Sequence, residues 1–172
     1  MTPADPARIL NRAAVALKEL QVSETWRAAL DKASVAPSPL LVRSIAPADE
    51  ARAGTPARLP DYYIVSIVRE NGTTARFAYD ADGGELLEAE GVRKAGDVFK
   101  PYVDAWAVVR SRMPATSPGT PDVVLPSDVV WKPCRQSTSR FVPFWRYYVQ
   151  NQPVYVRADG VLFTELTTTG RG

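Results

Sequence analysis

Histidine is missing from the chain altogether, cysteine occurs once, as Cys134, and no apolar run is long enough to span a bilayer. Each absence excludes a chemistry. Without imidazole there is no Ser-His-Asp triad, no Cys-His dyad and no histidine-ligated zinc or iron site. One thiol cannot make an internal disulfide. The opening stretch MTPADPARILNRAAVALKEL has an early acid and no unbroken apolar core, so it does not read as a secretory signal. A reduced, cytoplasmic protein without membrane contact is the expectation. Charge of one sign is lacking too. Lys+Arg is 21 and Asp+Glu 19, and the balance of +2 leaves no electrostatic footprint for nucleic acid. An enzyme built from these residues would work with carboxylates, tyrosine, lysine, arginine or an unassisted thiol. No metal or other cofactor is expected.

What is present is ordinary globular material: 172 residues, 45% hydrophobic and 23% charged, enough for one domain or two small ones. Arginine outnumbers lysine, and alanine and proline are common, the usage of a GC-rich bacterial genome.

Asp5-Pro6 opens a helix, with Ile9, Leu10, Ala13, Ala14, Leu17 and Leu20 at helical spacing. Ser23 caps a second, shorter helix carrying Trp26 and Leu30. Strands are expected over 40–45, 62–68, 75–80 and 85–90, with residues 46–60 as an exposed Pro/Ala/Gly-rich loop and Asn71-Gly72 as a hairpin turn. A further helix starts at Asp97 and carries Phe99, Tyr102, Val103, Trp106, Val109 and Met113. A proline-rich connection over 114–128 leads to strands at 129–131, 144–150, 154–159 and 161–168, with Asn151-Gln152 as a tight turn.

The order is therefore helix and four strands, twice. The run FAYDADGGELLEAE (77–90) is echoed by VYVRADGVLFTEL (154–166), and Leu59-Pro60 by Val142-Pro143. The expectation is an α+β protein made of two tandem units, residues 1–91 and 92–172, each a helix covering one face of a four-stranded antiparallel sheet.

One helix followed by four antiparallel strands resembles the cystatin-like fold. The stretch YYIVSIV…ARFAYDADGGELLE is similar to the hairpin of PepSY-type domains, in which a strand ending in Asp-x-x-Gly-Glu carries the turn. The likeness covers Tyr62–Glu88 and, less closely, Phe144–Glu165, where the second copy reads Ala158-Asp159-Gly160-Val161. It implies no catalytic residues.

Several constellations carry side chains capable of chemistry. Cys134 lies near Arg135 and Arg140, but no histidine can serve as its base. Asp80, Asp82 and Glu85 partly imitate a calcium loop, yet Asp-Gly here reads as a turn. With Asn151-Gln152 as a two-residue loop, Tyr148 faces Tyr155 and Arg146 faces Arg157. Arg146, Tyr148, Tyr155 and Arg157 then share one face, with Tyr147 and Val156 on the other. Two opposed arginines need an anion, either Glu165 on the next strand or an acid on a partner. The functional expectation is a non-catalytic module that binds a peptide or protein, such as a peptidase or a precursor peptide, through a sheet edge and this Arg/Tyr face. Inhibitor, immunity and escort roles all fit, as does a homodimer through sheet edges. The alternative is a small-molecule enzyme of cystatin-like fold using Tyr, Asp and Glu, with Tyr79 and Asp80 as its candidates.

Overall fold

A computed structural model of the protein describes residues 4–45, 59–94, 97–112, 123–149 and 152–167. It is mixed α+β. In chain order the elements are α1 (Pro6–Gln21), α2 (Glu24–Leu30), β1 (Ser34–Val35), β2 (Leu40–Ser44), β3 (Tyr62–Arg69), β4 (Gly72–Asp80) and β5 (Leu86–Gly91). They are followed by α3 (Ala105–Arg112), β6 (Val123–Trp131), β7 (Phe144–Val149), β8 (Gln152–Arg157) and β9 (Leu162–Phe163). The chain divides into two compact units, one of Met1–Leu41 with Pro60–Pro101, the other of Val42–Leu59 with Tyr102–Gly172.

In the first unit β1, β3, β4 and β5 pair antiparallel in that order. Alternation puts Tyr63, Val65 and Ile67 of β3 on the same face as their partners Tyr79, Phe77 and Ala75 of β4. That face is buried under Ile9, Ala13 and Leu17 of α1 and Leu30 of α2. Each large apolar side chain so enclosed stabilises by roughly 1.5–3 kcal/mol. The Asp5 carboxylate accepts from Ala7 N at 3.0 Å and fixes where α1 begins. The opposite face of β4 is also covered. Phe99 N donates to Thr73 O, and the Phe99 ring lies under the Arg76 guanidinium, 4.6 Å from its centroid.

In the second unit β6, β7, β8 and β9 form an antiparallel meander, and Arg43 and Ser44 of β2 pair parallel with Val130 and Trp131 of β6. Ala105 and Val109 of α3 close over Tyr147, Val154 and Val156, and Trp106 stacks on Tyr147 with centroids 6.0 Å apart.

Several expectations need correction. The third helix starts at Ala105 rather than Asp97, because Asp104 caps it through Ala107 N at 3.1 Å and Pro101 has no N–H to give an earlier turn. Phe99 thus belongs to the first unit, and Met113 lies outside the described residues. The first hairpin turns at Glu70-Asn71, with Arg69 opposite Gly72, and only Gly72 takes positive φ, at 135°. Of the strand expected over 161–168, Leu162–Phe163 form β9 and Thr168 lies outside the described residues, and the strand expected over 129–131 starts at Val123. Residues 46–58 of the expected loop, 113–122 of the expected connection and Asn151 of the second turn also lie outside the described residues. By compactness the chain divides after Leu41, after Leu59 and after Pro101, and the second unit takes in Val42–Ser44 of β2.

The turns after β4 and after β8 make similar backbone hydrogen bonds. Ala4 N donates to Ala81 O and Val103 N to Ala158 O; Ala81 N donates to Asp61 O and Ala158 N to Pro143 O. Asp80 N reaches Glu85 O and Arg157 N reaches Val161 O, both at 2.8 Å. Gly84 and Gly160 both take positive φ, and a β-carbon at either would meet a helix residue of its own unit, Ile9 at 3.3 Å and Val108 at 3.8 Å.

Candidate functional site

The β7–β8 register is Phe144 with Arg157, Arg146 with Tyr155, Tyr147 with Val154 and Tyr148 with Pro153. It is displaced by two residues from the expected pairing. A displacement of two conserves the face, so Arg146, Tyr148, Tyr155 and Arg157 still point to one side and Tyr147 and Val156 to the other, under α3. It does separate the two arginines, which are no longer opposite one another.

Neither guanidinium depends on Glu165, which is exposed beyond the end of β9. Asp128 stands across from Arg146 on β6 and takes two hydrogen bonds from it, at 3.0 and 2.7 Å, in a half-buried fork. Burial opposes the charge on Arg146, but the bonds and the attraction of Asp128 outweigh it and hold its pKa above the ordinary guanidinium value. Arg157 forks onto Asp159 at 2.8 and 2.7 Å and gives a third bond to Gln136 O at 2.6 Å. The hydrogen bond from Arg157 keeps the Asp159 carboxyl below its usual range, against a smaller opposing effect of burial. Tyr155 is pushed upward by burial, with Arg146 pulling the other way. Arg146 also lies over the Tyr148 ring and Arg157 over the Phe163 ring.

The other candidates have these surroundings. Cys134 is buried, its Sγ 3.7 Å from Ser137 O. Asp80 accepts from Gly83 N at 2.6 Å and tightens its turn. Tyr79 points under α1, and its buried hydroxyl has no hydrogen-bond partner among the described residues. Among the described residues no three acidic or cysteine side chains converge on a metal position, and no helix is long and apolar enough to cross a membrane.

The sheet edge has a clearer geometry. Among the described residues β5 has a strand on one side only, β4. Val92 N donates to Thr74 O, and the same register continues as Arg76 with Glu90 and Ala78 with Glu88. Residues 88, 90 and 92 therefore turn their backbone groups towards β4, and Ala89 and Gly91 turn theirs outward. Leu86 at the start of the strand is 45% exposed. Glu90 is half-buried beside Arg76 at 3.4 Å; burial raises its pKa against the pull of that arginine. Sequence reasoning placed this strand but not its outward groups, because the hydrogen-bonding phase depends on the partner's register.

No family model, no curated protein and no solved structure matches the chain.

Proposed function

We propose that the protein is a non-catalytic peptide- or protein-binding module that takes up an extended segment along β5. The observation carrying this reading is the open edge of a six-residue strand whose Ala89 and Gly91 backbone groups face away from the sheet. An added strand would complete those hydrogen bonds. Tyr148 and Tyr155 on the β7–β8 face are proposed as a second contact surface; Arg146 lies against both, and the charges of Arg146 and Arg157 are held by Asp128 and Asp159. A peptidase or a precursor peptide is the class of partner that such an edge suits. We further read the two halves as copies of one helix-and-meander unit of cystatin or PepSY type, a reading supported by the paired hydrogen bonds around Ala81 and Ala158.

The test is proline at the edge. Ala89→Pro removes an outward N–H and leaves the β4 ladder intact. The variant should keep its circular dichroism spectrum and lose association with a capped hexapeptide of high strand propensity, followed by amide hydrogen exchange at Gly91. Unchanged association in the folded variant would refute addition at this edge.

A further inference from the structure

The inference rests on the β5 reading and names the partner's chemistry. We propose that β5 selects an extended segment bearing a basic residue opposite Glu88, and that it discriminates against a second copy of itself. The strand reads Leu86-Leu87-Glu88-Ala89-Glu90-Gly91 and follows Glu85. Glu90 has its counter-charge in Arg76. Glu85 and Glu88 are exposed and have no ion pair with a described residue. Antiparallel pairing of two β5 strands about Ala89 would set Glu88 against Glu90, and like charges directly opposite destabilise a strand pair. A lysine or arginine in that position gains what a second copy loses. Leu86 gives the arriving strand an apolar contact at one end.

Two capped hexapeptides supply the probe, Thr-Val-Lys-Val-Lys-Thr and Thr-Val-Glu-Val-Glu-Thr, titrated into the full chain at low salt and followed by amide NMR. The lysine peptide should shift Ala89 and Gly91 and bind about tenfold more tightly than the glutamate peptide, a preference that fades as salt is added. Glu88→Lys should invert the order. Equal binding of both peptides would overturn the charge inference and leave the edge reading standing. Failure of both to shift β5 would overturn the two together. Shifts at β5 that follow protein concentration without peptide would identify a second copy as the occupant and overturn the inference.

Discussion

Arg146 and Tyr79 are two ways of burying a polar group. Arg146 has its partner across the strand, and removing it takes two charge-assisted hydrogen bonds away from the half-buried Asp128. Arg146→Ala is therefore expected to cost about 2 kcal/mol in urea unfolding, while Arg157→Ala, at a bridge whose acid is half-exposed, should cost about 1 kcal/mol or less. A smaller loss at Arg146 than at Arg157 would contradict this account. Tyr79 is the opposite case, since its hydroxyl lost water on folding and gained no partner among the described residues. Tyr79→Phe should leave stability unchanged or raise it by up to about 1 kcal/mol; a marked loss would mean that the hydroxyl is bonded after all. Burial pushes the Tyr79 phenol up to about 12. The unfolded chain releases that proton near pH 10 while the folded chain keeps it, so this residue's contribution falls as pH climbs from about 10 towards 12. Stability measured across that range should decline less steeply in Tyr79→Phe than in the parent.

At the scale of elements, the helix starts and strand cores were legible because they depend on neighbours in sequence. Asp5-Pro6 and the run Tyr63, Val65, Ile67 state their structure locally. Asp104 does not stand out as a cap in the sequence because Asp97 offers the same chemistry earlier in the chain, and only Pro101 and the position of Phe99 under Arg76 decide between them. The face of the Arg/Tyr set was legible because it needs only parity. Its ion pairs were not, because Asp128 reaches Arg146 from a third strand across a register shift between Val124 and Asp128. The two caps make a matched test: Asp5→Ala and Asp104→Ala should each cost about 1 kcal/mol. Gly91→Ala should cost more, about 1–3 kcal/mol, because the new methyl would meet Trp26 Cζ3 at 2.5 Å. Thermal melts of the three variants rank them directly.

For the whole molecule, the sequence repeat suggested halves that follow one another, whereas the compact units exchange a piece of chain. Val42–Ser44 is written in the first half and belongs to the second unit, where Arg43 and Ser44 complete the flank of β6. No local pattern in LLVRS announces this, since a parallel pair is specified by a partner more than eighty residues away. A fragment beginning at Tyr102 is accordingly expected to melt without a cooperative transition. Adding a peptide spanning residues 38–46 should restore one, and a cooperative melt of the bare fragment would refute the dependence on β2.

The exchange of Val42–Ser44 also sets an order of events at the ribosome. The strand emerges early and must wait until Val130 and Trp131 have been made before its outer hydrogen bonds can close. Closure of that long loop cannot begin until the Val130–Trp131 segment has left the ribosome, so the second unit should mature later than the first, at a rate set by loop closure rather than by helix or hairpin formation. Stalled nascent chains ending near residue 145, long enough to free the first unit but not Val130 and Trp131, should accordingly show a protease-resistant first unit with Val42–Ser44 still open to cleavage.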